Sequence, residues 1–211
     1  MKKVDSFIFI SVFIVIALLI IPTTHQLFFG FTDTYPLIGG FIKFFIFASF
    51  GDCLSQRITA GNWRVKGLLY KAIVWGFIGI MIVWVFQIFT EGITHLQGIG
   101  LLPFKESLLM SALFISVFMN TIFAPTMMLF HRITDATIEG KIEDKTYQLK
   151  DTLYALDMSK FITFVIFKTI PLFWIPMHTI TFLLDERYRV LFASLLGVAL
   201  GLILGFAKRK E

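Results

Sequence analysis

The stretch AIVWGFIGIMIVWVFQIFT, residues 72–90, lies between Lys71 and Glu91 and contains no charged residue. An α-helix needs about 20 mostly apolar residues to cross the hydrocarbon core of a bilayer. These 19 residues come close to that length. They therefore predict a membrane-spanning helix with charged residues at both ends.

The composition of the whole chain agrees with a membrane environment. Of its 211 residues, 57% are hydrophobic and 16% are charged, and the mean hydropathy is +0.82. Soluble domains carry about 25% charged residues. A soluble fold of this composition would expose large apolar patches, so the lipid bilayer is the expected partner of the protein surface.

Five further apolar runs predict spanning helices, which makes the expected fold an all-α, polytopic transmembrane helix bundle of about six spans. The runs cover residues 7–21, 37–56, 107–130, 161–184 and 190–207. The first follows Lys2 and Lys3 as a signal peptide would, but no A-x-A-like cleavage site follows it. We therefore expect an uncleaved helix.

The positive charges are distributed unequally between the two sides of this arrangement. Fourteen of the 19 Lys and Arg residues fall on one side and three on the other, while Lys43 and Lys168 fall within spans. Positive residues concentrate on the inner side of membrane proteins. The bias predicts that both termini lie inside. Because these charges flank apolar runs, the net charge of +5 does not indicate nucleic-acid binding.

The longest polar stretch, residues 131–160, lies between the fourth and fifth predicted spans. Apolar residues recur in it at helical spacing, at Ile138, Ile142, Leu149, Leu153 and Leu156. The pattern predicts an amphipathic helix on the inner membrane surface. A regulatory or partner-binding role is the alternative.

Several polar residues fall inside predicted spans, where such groups usually face protein or water. They are Asp52, Gln56, Asn120, Lys168, His178 and Thr181. Asp52 either pairs with Lys168 at similar depth or extends to the inner headgroups. Asn120 should bond to another helix, and His178 is either a hydrogen-bonded packing residue or a proton relay. Lys43 should extend toward the outer surface rather than line a pore.

Prolines and small residues indicate how the spans bend and pack. Pro125 should kink the fourth span, and Pro171 with Pro176 makes the fifth the best candidate for a broken, cavity-lining helix. Small residues recur at every fourth position of the last span, at Ala193, Gly197, Gly201 and Gly205. This face allows close helix approach, either within the chain or in a homo-oligomer.

No catalytic or metal-binding motif accompanies these features. The four histidines lack metal-ligand spacing, and the single cysteine, Cys53, excludes an internal disulfide. We therefore expect neither an enzyme nor a bound metal or cofactor.

Short motifs between residues 35 and 207 resemble the Mpv17/PMP22 family of small integral membrane proteins. In chain order they are Tyr35-Pro36, Gly51-Asp52 with Gln56, Gly76 with Gly79, Asn120 with Phe123-Ala124-Pro125, and Trp174 with Phe182 and Arg189. The chain departs from the family where His178 replaces the usual Gln and Thr181 the usual Asn. The resemblance divides the chain into an N-terminal transmembrane segment with an outer loop, residues 1–34, and a family-like domain, residues 35–211.

The resemblance implies a channel-like protein of an organellar membrane, mitochondrial inner or peroxisomal. No transit peptide is recognisable, so a bacterial cytoplasmic membrane is the favoured location. We expect a permeation pathway for small ions or polar metabolites, lined by the intramembrane polar residues. The alternatives are a non-conducting scaffold or assembly protein and a coupled secondary transporter.

Overall fold

The computed structural model describes Asp5 and residues 21–208, with the backbone alone for residues 204–208. Every regular element in this part of the chain is a helix. The helices are α1 (Pro22–Thr34), α2 (Pro36–Ala60), α3 (Leu68–Gly98), α4 (Leu108–Ile122), α5 (Ala124–Glu143), α6 (Leu149–Ala155), α7 (Met158–Leu183) and α8 (Glu186–Lys208). The prediction of an all-α fold is confirmed for the described residues.

Three helices, α2, α3 and α7, are each long and apolar enough to cross a membrane. The pair α4 and α5 passes the same test together, with a bend of 46° between them. These four correspond to the second to fifth predicted spans. Residues 7–20 of the first predicted span lie outside the described residues. Helix α8 contains the sixth, but three charged residues in its first turns shorten the apolar part that is described. The described residues therefore contain three to four candidate spans.

The chain forms two compact units, residues 1–39 and 40–211. In the first unit, the predicted outer loop is helical over Pro22–Thr34. Pro22 occupies the first turn, where a missing N–H costs nothing. At the other end, Tyr35 N–H caps the helix by donating to the Phe31 carbonyl at 2.9 Å.

Pro125 bends the fourth span as predicted. Helix α4 ends at Ile122 and α5 begins at Ala124, so the proline lies in the first turn of α5. Proline has no N–H to donate and fits the first turn of a helix better than its interior. The bend therefore coincides with the position where a proline is tolerated.

Helix α7 is continuous, so the predicted break at its two prolines does not occur. Residues Phe161–Trp174 form a π-helix that contains Pro171, and Ile175–Leu183 continue as an α-helix with Pro176 in its first turn. The N–H of Ile175 bonds to the Ile170 carbonyl, five residues earlier. The hydrogen bond to the residue five positions earlier is the pattern of a π-helix.

The predicted amphipathic helix is two helices, the end of α5 and the short α6. Asp144 separates them, because its carboxylate accepts from the N–H of Thr146 at 2.8 Å and from its hydroxyl at 2.7 Å. These hydrogen bonds lower the pKa of Asp144 below its usual value. Ile138 and Ile142 lie against Gly67, whereas Leu149 and Leu153 of α6 are each 53% exposed.

Glycines allow α2 and α3 to cross in close contact. A Cβ at Gly40 would lie 2.8 Å from the Gly79 carbonyl oxygen, and one at Gly76 would overlap the ring of Phe41. Only glycine fits where two helix backbones approach this closely. The family-like motif residues Gly76 and Gly79 therefore have a packing role.

Candidate functional site

A hydrogen-bonded polar cluster joins α4 to α7 inside the second unit. Asn120 and His178 are both buried, and Asn120 Oδ1 lies 3.1 Å from His178 Nδ1. One turn earlier on α4, the Ser116 hydroxyl donates to the backbone carbonyl of Ile175 at 2.7 Å. Asn120 therefore bonds across to another helix, as predicted, and His178 is a hydrogen-bonded residue.

The Asn120 amide determines which nitrogen of His178 carries the proton. Asn120 Nδ2 donates to the Ser116 carbonyl at 2.8 Å, so Oδ1 is the amide atom that faces His178. An amide oxygen can only accept, so His178 Nδ1 must donate. In the neutral ring Nε2 is then an acceptor, and it has no hydrogen-bond partner among the described residues.

Aromatic rings surround His178 and continue along α7. The Trp174 ring stacks on His178 with centroids 5.3 Å apart, and Phe86 of α3 meets the imidazole edge-on at 5.9 Å. Phe86 also packs against Phe182, at 4.9 Å between centroids. The guanidinium carbon of Arg189 lies 5.7 Å from the Phe182 centroid. We call Phe86 and Phe182 the aromatic layer.

A cavity of about 320 Å³, the His178 cavity, lies on the His178 side of the aromatic layer. Its walls are mainly apolar and come from α2, α3, α5, α7 and α8. The polar side chains that line it are Asp52, Ser55, His131, Arg132, Thr169, His178 and Ser194. Trp174 also lines it, and the buried Nε1–H of this indole has no hydrogen-bond partner among the described residues.

A second cavity of about 500 Å³, the Arg189 cavity, lies on the Phe182 side of the aromatic layer and is more polar. Its polar lining consists of Thr90, Thr94, Gln97, Lys105, Glu106, Ser111 and Arg189. Buried Gln97 of α3 connects this wall to α4 and to the loop that precedes α4. Its amide nitrogen donates to the Pro103 carbonyl at 3.1 Å, and its amide oxygen accepts from the Ser111 hydroxyl at 2.8 Å.

The lining residues of α3 show that the two cavities lie at successive levels of the bundle. Trp75 and Ile82 line the His178 cavity, and Thr90 and Thr94 line the Arg189 cavity. Phe86 lies about one turn from both Ile82 and Thr90. The aromatic layer therefore lies between the two cavities along the helix axis.

An electrostatic network that the sequence did not predict borders the His178 cavity. Trp75 Nε1 donates to Asp52 Oδ2 at 2.9 Å, and the Trp75 ring packs on His131 with centroids 4.1 Å apart. His131 Nε2 lies 3.9 Å from Asp135 Oδ1, too far for a hydrogen bond. Both of these atoms are buried without a hydrogen-bond partner among the described residues.

The network continues to a buried lysine at the start of α3. Lys71 Nζ lies 2.5 Å from Glu139 and 3.3 Å from Asp135, and only 6% of its side chain is exposed. Lys66, in the loop before α3, pairs with Glu143 on the surface, which raises the pKa of Lys66. Asp135, Glu139 and Glu143 are spaced by four residues, so they share one face of α5.

The structure contradicts one of the two alternatives for Asp52 and the prediction for Lys43. Asp52 accepts from Trp75 and does not pair with Lys168, which lies on the exposed side of α7. The expected pair rested on similar depth in the membrane, and depth alone does not determine which side of α7 carries Lys168. Lys43 is only 5% exposed and therefore does not extend to the surface.

The other predicted lining residues divide into those that reach a cavity and those that do not. Asp52 and His178 line the His178 cavity. Asn120 is buried behind His178, and Thr181 is buried with its hydroxyl donating to the Met177 carbonyl at 2.8 Å. Gln56 is half-buried and belongs to the lining of neither cavity.

The small residues of α8 have different roles. A Cβ at Gly201 would lie 3.4 Å from the Gly51 carbonyl oxygen, so this glycine serves packing between α8 and α2 within the chain. Gly197 lines the His178 cavity, and a Cβ there would meet no atom within 4 Å. Ala193 is buried in the core. The contacts of Gly205 lie outside the described part of the chain.

Some residues of the site were missed because no local signal distinguishes them. Ser116 and Asn120 are four apart and share a face, but serine is common in membrane helices and was not singled out. His131 lies at the start of the polar segment that the sequence places on the membrane surface. Phe86 lies within an apolar run, and only its contacts with Phe182 and His178 distinguish it from the other residues of that run.

Helices long and apolar enough to cross a membrane surround two polar-lined cavities, and this arrangement is consistent with an α-helical membrane protein. Among the side chains that the structure describes, no group of three His, Cys, Asp or Glu residues could hold a metal ion. Comparison of the chain with protein-family models, curated proteins and solved structures gives no match.

Proposed function

We propose that this protein forms a gated pathway for small ions or polar metabolites across a membrane. The observation that carries the proposal is the position of the aromatic layer between two cavities at successive levels of one helix bundle. Both cavities have polar or charged groups on their walls. In the proposed pathway the Phe86–Phe182 contact, with ring centroids 4.9 Å apart, is the closed gate between the cavities.

The proposed mechanism combines fixed dipoles with an apolar gate. Polar side chains of the Arg189 cavity would replace part of the hydration shell of an entering solute. The aromatic layer would exclude water while its rings are in contact, because an apolar constriction gates by dewetting. Separation of the two rings would open the route toward Asp52 and His131.

The architecture around this pathway is part of the proposal. We propose six spans with both termini inside, which requires residues 7–20 and α8 to cross the membrane along with the four candidate spans. We also propose membership of the Mpv17/PMP22 family and a bacterial cytoplasmic membrane. The support is the order of the motifs and the sequence distribution of positive charge.

Solute flux in proteoliposomes tests the gate. Phe182→Ala removes one ring of the aromatic layer and should raise the flux of potassium chloride or glycerol above that of the unmodified protein. Phe167→Ala is the matched control, because Phe167 lies on the same helix with 71% of its surface exposed. Circular dichroism establishes that each variant is folded before reconstitution.

A second variant, which leaves the aromatic layer unchanged, tests the same route. Gly197→Leu should fill part of the His178 cavity and lower the flux, whereas Gly92→Leu, also at a helical glycine with open space around it, should not. If folded Phe182→Ala vesicles are as tight as Phe167→Ala vesicles and Gly197→Leu has no effect, the pathway proposal is wrong.

A further inference from the structure

The His178 cavity has the size and lining of a small-molecule site. Its volume of about 320 Å³ falls at the lower end of ligand pockets, which range from about 300 to 1,000 Å³ and are mostly apolar with a few polar groups that orient the ligand. Here the apolar walls include Phe44, Ile82, Met127, Phe161 and Leu200.

One of the unpaired polar atoms on these walls, His178 Nε2, is held in a fixed position. The Ser116–Asn120 hydrogen bond orients the amide, the amide fixes the proton on His178 Nδ1, and Nε2 is left as an acceptor. Trp174 stacks on the imidazole ring and Phe86 packs perpendicular to it, and both contacts restrict the ring. A ligand would therefore meet an acceptor whose position is set before binding.

The charged residues on the cavity wall determine which kind of hydrogen-bond donor a ligand can present to His178 Nε2. The carboxylate of Asp52 and the guanidinium of Arg132 also line the cavity, but Asp52 is bonded to Trp75. Trp75 precedes Ile82 by seven residues, which is about 10 Å along α3. No carboxylate lines the cavity at the level of Ile82 among the described residues, so a buried ammonium group there would lack a counter-charge.

We propose that the His178 cavity binds an uncharged, mainly apolar alcohol whose hydroxyl donates a hydrogen bond to His178 Nε2. A hydroxyl can also accept, and the Nε1–H of Trp174 in the same wall lacks an acceptor. Phe164 lines the cavity while 39% of its surface is exposed. A molecule dissolved in the lipid can therefore approach the site past the exposed face of α7.

This inference goes beyond the proposed pathway, because an alcohol in the His178 cavity would occupy the route and block it. It also stands without the pathway, since binding depends on the cavity and on His178 alone. Binding is measured in detergent, where no flux exists, so a failed binding test and a failed flux test are distinguishable.

The test is a ¹⁹F NMR titration of the purified full chain with 4-(trifluoromethyl)benzyl alcohol. Its methyl ether is the matched probe, because it has the same apolar body and no donor. We expect saturable line broadening with the alcohol and affinity for the ether about tenfold weaker, the ratio for one lost hydrogen bond. Equal affinity for alcohol and ether would overturn the assignment to Nε2.

Variants separate binding in the cavity from partition into the micelle. Gly197→Leu should abolish the saturable component, and Gly92→Leu should retain it, because a Cβ is tolerated at both positions but only Gly197 lines the cavity. His178→Gln should keep the preference for the alcohol through its amide oxygen, and His178→Phe should lose it. Unchanged binding in Gly197→Leu would rule out this cavity as the site.

Discussion

At the scale of single residues, Ser116 and Asn120 determine the chemistry of His178. The Ser116 hydroxyl donates to the backbone of α7, and the amide nitrogen of Asn120 donates to Ser116. The Asn120 oxygen therefore has one orientation. In a medium of low dielectric constant such a network is favourable only when its members are paired. Within this network, His178 Nε2 is the acceptor left free at the cavity wall.

Asn120→Ala should destabilise the protein by about 0.6 to 2 kcal/mol, because one interhelical hydrogen bond is lost and His178 Nδ1–H remains buried without an acceptor. Thr121→Ala is the control, since Thr121 is exposed and its hydroxyl bonds only to carbonyls of its own helix. Denaturation of both variants in detergent provides the measurement. Equal losses for the two would show that the Asn120–His178 bond contributes nothing specific.

At the scale of helices, the acidic face of α5 holds the charged end of this helix against the start of α3. Lys71 is surrounded by Asp135 and Glu139 with little exposure to water, whereas Lys66 and Glu143 are each 60% exposed. Exposed ion pairs contribute little, while removal of one partner of a buried pair leaves an uncompensated charge. Lys71 should therefore dominate the contact.

Lys71→Met should lower the free energy of unfolding by about 1 to 3 kcal/mol, between the values for exposed and buried pairs, since Glu139 is half-exposed. Lys66→Met should change it little. Thermal unfolding at low and high salt measures both, and the Lys71 effect should persist in salt because a buried pair is screened less. A larger loss for Lys66→Met would contradict this assignment.

At the scale of the whole molecule, the bent pair α4 and α5 decides the topology. If the pair is one span, the segments that precede α4 and follow α5 lie on opposite sides of the membrane. If it is a re-entrant loop, they lie on the same side. The apolar length of the pair and the positive charges of the segment after α5 favour a span.

Cysteine labelling from one side of the membrane tests this topology in a Cys53→Ser background. Lys105→Cys should react from one side, and Lys145→Cys and Arg64→Cys should react from the other. All three positions are exposed. Labelling of residues 105 and 145 from the same side would establish a re-entrant pair and would remove the proposed six-span arrangement.

The sequence alone determined the helical fold, the position of four candidate spans and the bend at Pro125. These features depend on the local length and composition of the chain, because a bilayer requires about 20 apolar residues per helix and proline removes a specific donor. The sequence also placed Asn120 in an interhelical hydrogen bond, since a buried amide must find a partner.

Only the tertiary structure decided which polar groups meet. The Asp52–Trp75 bond, the exposed position of Lys168 and the aromatic layer depend on how helices are rotated about their axes. A span that is apolar on every face carries little information about rotation, and the π-helical turns of α7 change its face pattern. Packing against neighbouring helices sets these rotations, so the cavities and their linings follow from contacts between residues distant in the chain.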